Sequence, residues 1–135
     1  GFFKPILKNA ALRDQAEHCL ELVGLKDLMN QKTATLSHGQ LRLLEVAIAL
    51  TLKPKVFIMD EPMAGLGSDG TNQLTKFLDK LREQAPILLV EHDMDAVFAL
   101  ADRITVLDYG RVIASDKASS IKKNPTVQKA YLGEG

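Results

Sequence analysis

Val56-Phe57-Ile58-Met59-Asp60-Glu61-Pro62 runs four apolar residues, without alternation, straight into two adjacent carboxylates. A short unbroken apolar run suits a β-strand covered on both faces, the habit of parallel sheets. Ligand chemistry in such sheets gathers at the carboxyl ends of the strands, where Asp60 and Glu61 stand. Paired carboxylates at that place are costly unless a positive charge compensates them. A hydrated Mg²⁺ held by Asp60 with substrate phosphates meets the need, and Glu61 beside it suits a general base acting on water. The plainer reading leaves both as capping or solvated loop residues.

The same pattern recurs in Ile87-Leu88-Leu89-Val90, followed by Glu91-His92-Asp93. Between the two runs, residues 60–70 read as a Gly-rich connection, and Leu74, Phe77, Leu78 and Leu81 mark an amphipathic helix closed by Pro86. Upstream, Ser37-x-x-Gln40 has the capping-box pattern and opens a helix to about Leu52, ahead of Pro54. That helix is apolar nearly all round, which predicts burial. Earlier still, Leu12, Ala16, Cys19, Leu20 and Val23 form a helical stripe that Gly24 is placed to end. Residues 25–36 form a connection with one short turn around Lys26–Met29, and Phe2, Phe3 and Ile6 are suited to packing on a neighbouring element. Downstream, a helix over about 94–101 precedes Arg103–Asp108 and Arg111–Ser115, which flank Tyr109-Gly110 as a β-hairpin. The tail from Ser119 to Leu132 reads as helical with a break at Asn124-Pro125. Alternating strands and helices predict an α/β chain with a parallel sheet.

The 135 residues suit one domain, and 46% apolar with 25% charged residues is the balance of a globular protein with a core. Seventeen basic residues balance seventeen acidic ones, so no global field draws the chain to nucleic acid or anionic membrane. The longest apolar stretch, Leu43 to Leu52, is short and carries Glu45, so no transmembrane helix is expected. Cys19 stands alone, which excludes an internal disulfide and fits a reducing compartment. The chain opens Gly1-Phe2-Phe3 without Met and with no charged-then-apolar leader, the expectation for a trimmed chain or incomplete frame rather than a secreted one.

Gly65-x-Gly67-x-x-Gly70 spells the dinucleotide-binding fingerprint. Its spacing is wrong, because Asp60 to Ala64 separate the first glycine from the strand and two of those five residues are carboxylates that repel a pyrophosphate. Thr71-Asn72 after Gly70 also rule out a P-loop there. A flexible loop is the expectation.

Taken in order, Leu36-Ser37-His38-Gly39-Gln40, Val56–Met59 with Asp60-Glu61-Pro62, Ala64-Gly65-Leu66, and His92 after a strand resemble the C-terminal half of an ATP-binding-cassette (ABC) ATPase, a P-loop NTPase. The resemblance runs from about Ala11 to Gly135. His38 departs from the usual L-S-G-G-Q signature at its middle position, and Arg42, Glu45 and Ala47 fit the helix that follows. It implies an α/β fold: the C-terminal portion of a P-loop NTPase domain, a parallel sheet flanked by helices plus a hairpin and helical tail. Residues 1–53 would end a helical subdomain bearing the signature, and 54–135 would belong to the core. It further implies that Ser37, Gly39 and, beside them, Gln40 meet the γ-phosphate of ATP held by a second ATP-binding subunit. A helix N-terminus is physically an anion site. Asp60 resembles the Walker B carboxylate that holds Mg²⁺ through water, Glu61 the general base, and His92 the switch histidine. Ala64-Gly65-Leu66-Gly67 corresponds to the D-loop, which often ends in Asp or Asn, a side chain that Gly67 lacks.

The segments Val90–Met94, Ala101–Ile104, Leu107–Gly110 and Ala130–Glu134 are similar to those of ATP-binding subunits of branched-chain amino-acid importers. The resemblance implies ATP and Mg²⁺ as cofactors of the complete cassette, transmembrane permease subunits as partners, no nucleic acid, and a cytoplasmic place on the inner face of the bacterial plasma membrane. No G-x-x-x-x-G-K-[S/T] occurs among the 135 residues, so the chain alone is expected to be inactive and to bind no nucleotide. In the fold the resemblance implies, the strand leading into the P-loop lies between the Asp60 and His92 strands. Without it, either those two strands pair directly through a right-handed crossover or a second copy fills the place, and self-association is the expectation. A non-catalytic, cassette-shaped interaction module is the alternative, with a Rossmann-type oxidoreductase more distant.

Overall fold

A computed structural model describes residues 8–132, so the expectation for Phe2, Phe3 and Ile6, like Gly133 and Glu134 of the tail, lies outside the described residues. The chain forms two compact units, one through Val90 and the other from Glu91.

In the first unit, α1 (Ala10–Leu22) is capped by Asn9, whose side chain accepts from the Leu12 N–H. It ends at Gly24 (φ +76°) in a Schellman turn, with Leu25 N–H donating to Leu20 O at 2.8 Å. Only the end of the predicted stripe is buried, Cys19 and Val23; Leu12 is exposed. The connection holds two 3₁₀ turns, Lys26–Leu28 as expected and Thr33–Thr35 in addition. Helix α2 (His38–Thr51) buries Leu43, Val46 and Ala47, but Ile48 and Leu52 are exposed. Burial of the whole helix is therefore corrected: α2 packs on α1 along one face, while part of its remaining apolar surface meets solvent.

Strand β1 (Phe57–Asp60) pairs in parallel with β2 (Ile87–Val90), Phe57 opposite Ile87 and Asp60 opposite Val90. Of the two expected arrangements, direct pairing is the one observed: the ladder joins these two strands with no other strand between them. Two-sided cover is corrected as well. Phe57 is buried, whereas Ile58 is 72% and Leu88 58% exposed, side by side on the opposite face. Helix α3 (Gly67–Leu81) begins inside the predicted connection and buries Leu74, Leu78 and Leu81. Leu74 has no exposed surface at all.

The second unit starts with α4 (Met94–Leu100), capped by Asp93 accepting from the Ala96 N–H at 3.1 Å. Strands β3 (Arg103–Asp108) and β4 (Arg111–Lys117) form an antiparallel pair that does not join the parallel sheet, and β4 runs two residues beyond its expected end. Tyr109 (φ +44°) and Gly110 (φ +74°) make the tight turn with both central residues left-handed. A bulge follows Val106, leaving Ile113 as the extra residue. Ile104 and Val106 point inward by strand alternation and pack with Ile121 of α5 (Ala118–Ile121) and Val127 of α6 (Pro125–Val127). The tail breaks where expected: the Asn124 side chain accepts from Thr126 and Val127 N–H, and Pro125 takes the first helical position. A final wide turn, Gln128–Leu132, lets the Tyr131 hydroxyl donate to Leu107 O.

Candidate functional site

The N-terminal end of α2 is built by a full capping box. Ser37 Oγ accepts from Gln40 N–H at 3.3 Å, and Gln40 Oε1 accepts from Ser37 N–H at 2.8 Å. Leu41 N–H donates to Ser37 O at 2.9 Å. The box commits the Gln40 amide oxygen to the backbone. The N–H groups of His38 and Gly39 belong to the first turn, where an α-helix offers no internal acceptor. Ser37 and His38 are exposed and Gly39 is half-buried. This is a rigid, positively polarised helix end open to an anion.

The carboxylates belong to the same unit. Asp60 closes β1 and is exposed. It also lines an open cleft of about 220 Å³ with Phe57, Met59 and the Arg42–Glu45 ion pair, which closes at 2.9 Å. Glu61 turns the chain off the sheet with φ +46°, and its N–H donates to Val90 O at 2.8 Å. A non-glycine residue in this region stores of order 1–3 kcal/mol, which persists only where surroundings enforce it. Here Pro62 and Met63 are buried directly behind it, and Ala64 N–H closes a turn onto Glu61 O at 3.1 Å. The turn therefore presents Glu61 outward on a fixed backbone.

In the second unit His92 is exposed on the loop after β2. The Glu91 carboxylate accepts from His92 N–H at 3.1 Å and from Asp93 N–H at 3.4 Å, a local clamp on the backbone that carries His92. Among the described residues no three His, Cys, Asp or Glu side chains converge into a ready-made metal cage. The donor set on offer is one exposed carboxylate at a strand end and one phosphate-suited helix end. That set fits a hydrated Mg²⁺ bound chiefly through a nucleotide's phosphates. Gly67 (φ +67°) occupies a backbone region that Asn and Asp also tolerate, so its place at the end of the Ala64–Gly67 segment is stereochemically consistent.

Known proteins contain sequences similar to these elements. The ABC transporter model matches residues 3–64, and the branched-chain amino acid ATP-binding cassette transporter model matches residues 111–135. The high-affinity branched-chain amino acid transport ATP-binding protein BraF of Pseudomonas aeruginosa is 40% identical across 99% of this chain. The chain is a homologue of ABC transporter ATP-binding proteins. LivG of Escherichia coli, which carries the same description as BraF, is 36% identical over 99% of the chain. The chain spans 56% of the length of either relative, a little over half. Its fold is that of the ABC ATPase cassette. The crystal structure of an ABC transporter's ATP-binding cassette in its ADP conformation superposes with a TM-score of 0.82 at 30% identity, over 98% of this chain and 54% of that one. The cassette cbiO1 from Clostridium perfringens, part of the transporter complex cbiONQ, gives 0.79 at 28% identity over 96% of this chain and 51% of its own. Among the described residues no helix is long and apolar enough to cross a membrane.

Proposed function

We propose that this chain is the C-terminal, signature-bearing part of the ATP-hydrolysing subunit of an importer for branched-chain amino acids, working at the inner face of a bacterial plasma membrane. The observation that carries this is the end-to-end match to BraF and LivG, described as branched-chain amino acid transport ATP-binding proteins. The capped helix end and the carboxylates at the close of β1 support it. On this reading residues 1–53 end the helical subdomain and 54–135 belong to the core.

In the complete cassette Ser37 Oγ and the Gly39 N–H face the γ-phosphate of a nucleotide held by a second ATP-binding subunit. The capping box holds that helix end still, so little reorganisation accompanies contact. Gln40 serves by fixing Ser37. Asp60 would hold Mg²⁺ through water, and the ion when bound neutralises phosphate charge. Glu61 accepts the proton of the attacking water at its carboxylate, and His92 contacts the phosphoryl group. A permease pair would take up the resulting motion.

The chain alone is expected not to hydrolyse ATP, since phosphoryl transfer rests on phosphate positioning that the P-loop supplies. The test uses the complete subunit that contains this sequence. Glu61→Gln and His92→Ala should suppress turnover with ATP binding kept, and Ser37→Ala should weaken ATP-dependent pairing of subunits. Near-wild-type turnover in all three variants sinks the roles. Uptake of leucine, isoleucine or valine lost on deleting the gene tests the substrate. Steady phosphate release by the 135-residue chain, absent in Glu61→Gln, would overturn its inactivity. Subunit pairing with no turnover in any variant or in the wild type would favour the interaction module.

A further inference from the structure

The glycine motif at Gly65, Gly67 and Gly70 fits neither a dinucleotide nor a P-loop, and the fold gives its last member a different use. Leu66 occupies the N-cap of α3 with no side-chain hydrogen bond to the helix. An apolar residue there forgoes roughly 1 kcal/mol that Ser, Thr, Asp or Asn contributes. Four residues on, Gly70 lies inside the first turn of α3, where Gly costs about 1 kcal/mol against Ala. Two locally unfavourable choices meet in one contact. A Cβ on Gly70 would lie 2.9 Å from Leu66 Cβ, too close for two carbons, so Gly70 is the condition for Leu66 to sit where it does. From that seat the Leu66 side chain reaches over α2: its Cδ2 is 3.9 Å from the point a Cβ on Gly39 would occupy.

We propose that Leu66 is a positioning residue that ties the turn carrying Asp60 and Glu61 to the capped end of α2. The tie is short at both ends. Leu66 N–H donates to Met63 O at 3.2 Å, Ala64 N–H to Glu61 O, and Glu61 N–H to Val90 O, so Leu66 is linked to the sheet through successive turn hydrogen bonds. Pro62 and Met63 are buried beneath it. At the far end Leu66 lies over Gly39, one residue before the Gln40 that completes the capping box. On this proposal a displacement of the Glu61 turn reaches the helix end through the Leu66 side chain, which lies over the open side of Gly39. What the two ends do chemically rests on the function proposed above; the tie itself rests on the geometry alone.

The test is made on the 135-residue chain by amide NMR, without nucleotide. Leu66→Ala keeps Cβ and removes the reach to Gly39. The Gly39 amide resonance should move, and exchange of the Gln40 and Leu41 amides should quicken about fivefold as the capping box frays. Leu66→Met, which restores apolar length, should return both to wild-type values. A purely local role for Leu66 would move the amides of Gly70 and Thr71 and leave Gly39 to Leu41 unchanged, and that result overturns the proposal. If Leu66→Ala does not fold, Leu66→Val gives the same comparison with a smaller truncation. In the complete subunit, Leu66→Ala should lower kcat for ATP about tenfold at unchanged KM, with rescue by Leu66→Met. Full turnover in Glu61→Gln would defeat the functional reading and leave the amide result standing, whereas unmoved Gly39–Leu41 amides defeat the tie whatever the turnover.

Discussion

Gly70→Ala sets two effects of similar size against each other. Helix propensity favours alanine inside the first turn of α3 by about 1 kcal/mol. Against it, the new Cβ would stand 2.9 Å from Leu66 Cβ, where carbons prefer roughly 3.5–4.0 Å. The obstacle is a Cβ rather than the far end of a flexible side chain, so relief requires moving backbone. The backbone on the Leu66 side is held by the Leu66–Met63 hydrogen bond and the buried Pro62 and Met63. Overpacking of this kind costs about 1–3 kcal/mol. The net expectation is destabilisation by about 1 kcal/mol, an apparent loss of roughly 3 °C in Tm for a chain of this length. Urea denaturation followed by circular dichroism reads it. In a Leu66→Gly background the obstacle is gone, and Gly70→Ala should there stabilise by about 1 kcal/mol, a sign reversal that a double-mutant cycle isolates. A Gly70→Ala chain more stable than wild type in the Leu66 background would refute the reasoning.

Three further expectations follow from single features. Ser37→Ala removes the acceptor for Gln40 N–H and should cost about 1 kcal/mol in urea melts, with the first turn of α2 losing amide protection ahead of its centre; equal loss along the helix counts against it. Tyr109→Asn should stabilise by up to about 1 kcal/mol, because Tyr109 is fully exposed at φ +44° and Asn tolerates that region without any packing to lose; a lower urea midpoint contradicts this. The isolated chain should self-associate through the exposed Ile58–Leu88 row of a two-stranded sheet whose strands are both edges, and Ile58→Lys should reduce the association; a monomeric wild type by light scattering rules it out.

The sequence by itself determined what is settled within a few residues. The capping box at Ser37 and Gln40, the stop at Gly24, the Tyr109-Gly110 turn and the break at Asn124-Pro125 all stand where the residues place them, since each is a hydrogen bond or a backbone angle between near neighbours. The two apolar runs likewise became β1 and β2, with Asp60 and Glu61 leaving the first and His92 following the second. What the tertiary structure decided were the partners. Apolar periodicity reports that Ile58, Leu88 and Ile48 call for cover but not which element supplies it, so the open faces, and the choice of direct β1–β2 pairing over a second copy, were settled only by packing. Nor was the use of Gly70 legible, which as sequence reads as part of a flexible Gly-rich loop. Its meaning depends on where Leu66 sits relative to Gly39, and residues separated so far along the chain meet only when the intervening elements have packed.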